Sequence, residues 1–263
     1  MKAEVITITP ILAKDFLSKN TSNRLVHKGT VSLYASIMER GQWKLNGEGI
    51  VLDTNGNLLN GQHRLSAVIK CNKNIDFLVV SGVGSDSYTT FDTGKKRSAQ
   101  DVFKIDGILN SSSIAGGISR YLKLLVGVNA NDSSKTEAKI SNQDVLDEYN
   151  LHCELYQSLF HRSASFYNLN HRILSKSDYI GYYRFFQTKY NTDVIDSFFE
   201  SINNSTGICG ILKDRLLSEL ISKRKSTTTE RTALVIKSFN HFISGKDVKL
   251  LKYSITEKFP TLK

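Results

Sequence analysis

Residues 49–70 read GIVLDTNGNLLNGQHRLSAVIK, and three local signals follow one another inside that stretch. Gly49-Ile50-Val51-Leu52-Asp53 is an apolar run of strand character, Thr54-Asn55-Gly56-Asn57 is a turn, and Leu58-Leu59 resumes the apolar run. Asn-Gly suits the tight primed turns whose central residues need positive φ, so the unit predicts a β-hairpin. Asp53, just ahead of the turn, is placed to cap it through its side chain. Arg64–Lys70 (RLSAVIK) then has helical character. Between hairpin and helix lies a short polar loop, Asn60-Gly61-Gln62-His63-Arg64.

Upstream, Val5-Ile6-Thr7-Ile8 alternates as a short strand, and Thr9-Pro10 supplies an N-cap and a first-turn proline for a helix through about Leu17. Residues 28–40 place Val31, Tyr34, Ala35 and Met38 at helical spacing, with Gly41 where a left-handed C-cap belongs. Downstream, Ile75–Val80 (IDFLVV) is a nearly continuous apolar strand. The first hundred residues are thus mixed α and β.

After Ser98 strand-like runs disappear. Helical periods cover 98–105, 111–126, 142–149, 152–166, 175–189, 192–202, 208–223 and 228–242. The expected fold class is α+β, with a mixed α/β domain over 1–105 followed by an all-α helical bundle over 106–263. Residues 129–141 (NANDSSKTEAKIS) are polar and aperiodic, a joint or a long loop, and Ser141-Asn142-Gln143-Asp144 has the form of a capping box.

The chain has 263 residues, 40% hydrophobic and 23% charged, enough to bury a real core. No stretch reaches the roughly 18 consecutive apolar residues of a membrane span, and the start lacks a signal-peptide core. The expectation is a cytoplasmic protein with no membrane partner. Cys71, Cys153 and Cys209 lie far apart with no CxxC pair, which reads as buried free thiols, with no metal site. The net charge is +10, split evenly: +5 over residues 1–98 and +5 over the remainder. An anionic partner fits this charge, and nucleic acid is the commonest; a merely solubilising charge is the alternative.

A strand that runs through a short polar loop into a helix turns free N–H groups and the positive helix end toward one spot, where anions bind. In the loop, Gly61 lets backbone approach a ligand, Gln62 and His63 offer neutral donors or acceptors, and Arg64 can fork onto phosphate oxygens. A glycine turn with a structural arginine would read the same way.

The run Gly41-Gln42-Trp43-Lys44-Leu45-Asn46-Gly47-Glu48, the hairpin, and Asn60-Gly61-Gln62-His63-Arg64-Leu65-Ser66-Ala67 resemble phage- and plasmid-borne members of the ParB/sulfiredoxin superfamily. The resemblance covers about residues 1–105. It implies a nucleotide-phosphate cradle at Asn60, Gly61, Gln62, His63 and Arg64, holding an NTP (CTP or ATP), with Mg²⁺ as a possible companion ion. It also implies a phage or mobile-element origin, hence a host-cell cytoplasm. Asn60 stands where such motifs often carry Asp, and no Cys sits beside His63-Arg64 for sulfinic-acid reduction.

Asp92-Thr93-Gly94-Lys95-Lys96-Arg97-Ser98 is a second basic element, a tight turn followed by three cations and a helix start at Ser98. Thr93, Gly94, Lys95, Lys96 and Arg97 are candidates to close over phosphates, or Lys95, Lys96 and Arg97 to touch a DNA backbone; a solvated loop is the alternative. Glu48, Asp53 and Asp92 are the nearest carboxylates, and Glu48 is preferred as a catalytic base, with His63 as acid or base. Residues 98–126 have the outline of a helix-turn-helix, though 111–126 offers DNA only Arg120, Lys123 and serines. His161, Arg162, Phe166, Tyr167, Asn168, His171 and Arg172 interleave basic and aromatic residues, which suits nucleic acid or inward-packed rings. Tyr182, Tyr183, Phe185 and Phe186 read as core, and Lys223-Arg224-Lys225 as a basic helix end.

The expected function is a ParB-like nucleotide-binding, DNA-associated protein, with a homodimer as a possible assembly. One alternative is a small-molecule or nucleoside kinase of the same fold. A nuclease is the other. Enzymatic activity stays open between an NTPase and a phosphotransferase.

Overall fold

Strand β1 spans Lys2–Ile8, longer than the apolar alternation at Val5–Ile8 predicts. Its polar start is ordered by a neighbour: β1 runs antiparallel to β4 (Ile75–Val83) from Lys2 opposite Ser81 to Ile8 opposite Ile75. In this computed structural model all residues are described except 21–22, 24, 92–96, 128–139, 223–225, 247 and 255, with backbone only at 88–90. They sort into two compact units, Met1–Lys96 with Ser133–Gln143, and Arg97–Asp132 with Asp144–Lys263. The helix at Ala99–Ile105 therefore falls in the second unit, so the division lies ahead of the expected boundary at 105.

In the first unit α1 (Pro10–Ser18) starts as the Thr9-Pro10 pair predicts, with Thr9 Oγ1 accepting from Leu12 N at 3.1 Å. Helix α2 (Lys28–Glu39) ends at Gly41 with φ +70°, where Gly41 N donates to Met38 O and Gln42 N to Ile37 O. That pair of bonds is the Schellman closure, which favours glycine for its left-handed backbone. Strands β2 (Ile50–Asp53) and β3 (Leu58–Asn60) form the predicted hairpin, and α3 (Gln62–Cys71) follows. The sheet order is β1-β4-β2-β3, with β2 parallel to β4 and the other pairs antiparallel. The unit's core joins Ala13 and Phe16 of α1, Ala35 and Met38 of α2, and Leu65 and Val68 of α3 to Ile8, Ile50, Phe77 and Val79 of the sheet. Trp43 closes it edge-on to Tyr34 at 5.4 Å and tilted to Phe77 at 5.5 Å.

All eight helical periods after Ser98 are helices, each end within three residues of expectation: α4 (Ala99–Ile105), α5 (Ser111–Leu125), α6 (Asn142–Leu151), α7 (Cys153–Leu169), α8 (Lys176–Phe186), α9 (Thr192–Asn203), α10 (Gly207–Ile221) and α11 (Thr228–Ser244). Reciprocal capping boxes start α4 (Ser98 with Asp101) and α8 (Ser175 with Asp178). Helices α5 and α8 cross at glycines. A Cβ on Gly117 would meet Ile180 Cγ2 at 2.6 Å, and one on Gly181 would meet the Gly117 carbonyl at 2.9 Å. Tyr182, Tyr183 and Phe186 are buried as expected, with Phe186 stacked on Phe239 at 3.8 Å and Phe198 edge-on to Phe239 at 5.0 Å. The irregular C-terminal stretch packs back on the helices: Leu262 is buried, its carbonyl accepts from Lys189 Nζ at 2.9 Å, and Asn240 Nδ2 donates to Thr261 O at 2.9 Å.

Overall, the fold is α+β, with a four-stranded mixed sheet and, after the sheet, helices alone among the described residues. Among those residues no helix is long and apolar enough to cross a membrane. Cys71 and Cys209 are buried free thiols, and burial pushes the Cys209 thiol up to about 12. Cys153 departs from the expectation: it is exposed in the first turn of α7, a position the helical period alone does not orient. Most of the polar joint and Lys223-Arg224-Lys225 lie outside the described residues.

Asp53 does cap the hairpin. Its Oδ1 accepts from the backbone N–H of Asn55 and of Asn57, both at 2.8 Å, and its Oδ2 from Asn57 Nδ2 at 3.0 Å. The Asn57 side-chain bond leads in holding the carboxyl below its ordinary value of 3.8. A depressed folded-state value adds stability that is complete above 3.8 and lost as pH falls through the folded value. Urea unfolding of Asp53→Asn from pH 5 down to pH 2 is expected to show a lower midpoint at pH 5 and a shallower acid decline than the parent chain.

Candidate functional site

Gly61 is the hinge between β3 and α3. Its φ is +112°, and a Cβ would sit 3.1 Å from Ile50 Cγ1 and 3.2 Å from Ile50 Cα. The close approach that this glycine allows is therefore to strand β2 of its own sheet. Gly61 is also the N-cap of α3 and, lacking a side chain, supplies no capping oxygen of its own.

The three side chains after Gly61 each reach a different segment. Gln62 is buried, and its Oε1 accepts from Asn20 Nδ2, beyond α1, at 3.1 Å. His63 Nε2 accepts from the backbone N–H of His27 at 3.0 Å, and His27 is itself the N-cap of α2, its Nδ1 taking Thr30 N at 3.2 Å. A ring nitrogen that accepts carries no proton, so the His63 contact needs the neutral imidazole. Arg64 is buried. Its Nη1 donates to the Gly49 carbonyl at 2.8 Å and its Nη2 to Glu48 Oε2 at 2.7 Å.

The Glu48–Arg64 pair is lopsided. The Arg64 side chain is 10% exposed and that of Glu48 68%. A carboxylate so exposed contributes about 0–1 kcal/mol through such a pair, whereas the sheltered bond to Gly49 O is charge-assisted and stabilises by about 1.5–3 kcal/mol. Gly49 is held in turn against β4, where a Cβ would meet Leu78 O at 2.9 Å. Glu48 takes its backbone direction from Asn46, whose Oδ1 accepts Glu48 N at 2.9 Å. Asn60 ends β3 opposite Val51.

The structure therefore brings Glu48, Gly61, Gln62, His63 and Arg64 together around the start of α3, with Asn60 adjoining. Thr93, Gly94, Lys95 and Lys96 are outside the described residues, and Arg97 is exposed at the head of the second unit. Arg120, expected to face DNA, is committed instead to its own helix bundle: it pairs with Asp178 at 2.5 Å, and its guanidinium lies 5.4 Å from the Tyr182 ring centre. The reason is the α5–α8 glycine crossing, which brings the Arg120 side chain against Gly181. Lys123 is exposed on α5.

The interleaved stretch divides likewise. Arg162 pairs with Asp196 and donates to Tyr183 Oη at 2.9 Å, and Phe166 is buried, so these two face the bundle. Burial, seconded by the Asp196 bond, pushes the Tyr183 hydroxyl up to about 12. Asn20, His27 and Gly49 are motif partners that sequence reading missed. They sit 42, 36 and 15 residues from the side chains they meet, with no spacing signal to mark them.

The chain finds no match among protein-family models, curated proteins or solved structures, so the likeness to ParB-type proteins rests on the motif residues alone.

Two substitutions test how far the motif holds the unit. Gly61→Ala imposes both a left-handed alanine and an overlap with Ile50, and is expected to lower unfolding free energy by about 2–4 kcal/mol in urea titration. Gln62→Ala removes the neutral bond to Asn20, which alone should cost about 0.5–1.5 kcal/mol in the same assay.

Proposed function

We propose that this protein binds nucleotide phosphates at the start of α3 and associates with DNA, as a ParB-like protein of a phage or mobile element. The observation that carries the reading is Arg64: one bond anchors it to Gly49 O in the sheltered interior, and the other goes to an exposed carboxylate that a phosphate can replace. Supporting it are a glycine at the N-cap of α3, the positive end of the α3 dipole, and a chain of net charge +10. Phosphate fits this donor: Arg64 Nη2 would hold one of its oxygens, and an NTP would bring Mg²⁺ with its own phosphates. DNA contact falls to exposed cations, Arg97 and Lys123 among them.

A second reading is a kinase acting on a small molecule or nucleoside. It is favoured by the position of Glu48, a carboxylate within 2.7 Å of the guanidinium that would hold the phosphate. There Glu48 would serve as base for the acceptor hydroxyl. No observation favours the nuclease. Among the described residues no group of three or more His, Cys, Asp or Glu side chains is arranged to hold a metal ion.

Titration with CTP, ATP and ADP, with and without duplex DNA, separates these readings. Nucleotide binding is expected to disappear in Arg64→Ala; retention of parent affinity in that variant refutes the site. Because Arg64 also anchors Gly49, Arg64→Lys serves alongside it, expected to keep the fold by circular dichroism and to weaken binding about tenfold. Glu48→Gln frees Nη2 from a charged competitor and is expected to tighten binding several-fold. Under the kinase reading the same variant instead abolishes transfer of labelled phosphate from ATP to an acceptor.

A further inference from the structure

Seven cations among the described residues lie over aromatic rings: Lys19, Arg120, Arg162, Arg172, Lys176, Arg184 and Lys237. Five of them also pair with a carboxylate: Lys19 with Asp15, Arg120 with Asp178, Arg162 with Asp196, Arg184 with Glu148 and Lys237 with Glu257. The two without a carboxylate are neighbours. Lys176 Nζ lies 5.0 Å from the Phe160 ring centre and 5.8 Å from that of Tyr167, and the Arg172 guanidinium lies 5.6 Å from the same Tyr167 ring.

Both cations are held by an ordered support. Asn170, wholly buried, ties the end of α7 to α9 through Asn203, and Ile173 and Leu174 are buried beyond it. Between these anchors His171 and Arg172 both take left-handed backbone, φ +51° and +66°, a conformation that costs non-glycine residues free energy. His171 and Arg172 are exposed there, and so is His161, whose ring meets Phe160 at 5.6 Å. Two cations fixed over rings, flanked by exposed imidazoles, bind without the ordering cost that free lysines incur.

We infer that Arg172 and Lys176, seated on Phe160 and Tyr167 at the α7–α8 junction, form a binding site for the phosphodiester backbone of single-stranded nucleic acid. The cations take successive phosphates, and the exposed rings of His161 and His171 offer stacking faces that unpaired bases reach and paired bases do not. This site lies wholly in the second unit and does not depend on nucleotide binding at α3.

The test is fluorescence anisotropy of a labelled 20-nucleotide oligothymidylate over a series of salt concentrations. Arg172→Gly, which suits the left-handed backbone, combined with Lys176→Ala should weaken binding at least fivefold and reduce the slope of log affinity against log salt by about 1.4, two phosphates' worth. Exchange of the cations, Arg172→Lys with Lys176→Arg, should retain most of the affinity. Lys14→Ala with Lys104→Ala, which removes two exposed charges elsewhere, should change the slope by less than half as much. Should the first double variant lose its thermal transition, Lys176→Ala alone carries the test with an expected slope change of about 0.7. Equal losses in the two charge-deleted double variants, no binding of the oligonucleotide, or tighter binding of poly-glutamate or phosphatidylserine vesicles would each overturn the proposal.

Discussion

The Arg64 guanidinium reaches from the first turn of α3 to the residues that lead into β2, and the first unit is organised about that reach. Residues 42–49 contain no helix or strand, so little backbone bonding fixes where β2 begins. One sheltered bond to Gly49 O does so, and β2 in turn sets its parallel register on β4, with Ile50 opposite Val79. Gln62 and His63 extend the principle to the segments after α1 and before α2. Three consecutive side chains thus help fasten three loops. Gly61 makes this possible, because only a residue without Cβ lets α3 start this close to Ile50.

Legibility in the sequence followed the range of the interactions. The hairpin, the Schellman end of α2, the Thr9 cap and the eight later helices are set by neighbours within about five residues, and each could be read from its own segment. The polar start of β1 could not, since Lys2-Ala3-Glu4 becomes strand only by pairing with residues some eighty positions away. The site divides in the same manner. That Asn60–Arg64 forms a polar loop into a helix is local; that Arg64 meets Glu48 and Gly49, and His63 meets His27, is tertiary and carries no periodic trace. Arg120 misleads for a related reason. Its exposure depends on α8, whose Gly181 admits the side chain between the helices and whose Asp178 then pairs with it.

In the helical unit, charge is handled by a repeated device. Arg120, Arg162 and Arg184 each lie against a tyrosine and pair with a carboxylate on another helix: α5 to α8, α7 to α9, and α8 to α6. A half-buried arginine without such a partner would be costly, so each triad favours the alignment of its helices that keeps the arginine paired. These contacts add little net stability over apolar packing of equal volume. Their effect is on which helices pair and at what height. Stacked rings such as Phe186 on Phe239 supply the non-specific attraction that the triads direct.

A motif whose side chains are all engaged in the fold might be thought closed to ligands, but engagement has to be weighed bond by bond. Gln62 and His63 satisfy buried or backbone partners, and exchanging those for a ligand leaves a polar group unpaired at about 1–3 kcal/mol. Their hydrogen bonds are therefore fixed, and they shape the helix start. Arg64 differs because its two bonds have opposite character. The one to Gly49 O is sheltered and costly to break; the one to Glu48 faces water and contributes little. A dianionic phosphate competing for Nη2 faces only the weak bond, at a position where the helix dipole favours it further. On the proposed reading the same guanidinium holds the loop with one nitrogen and binds an anion with the other, so structural and functional readings of the motif apply to different atoms of one residue.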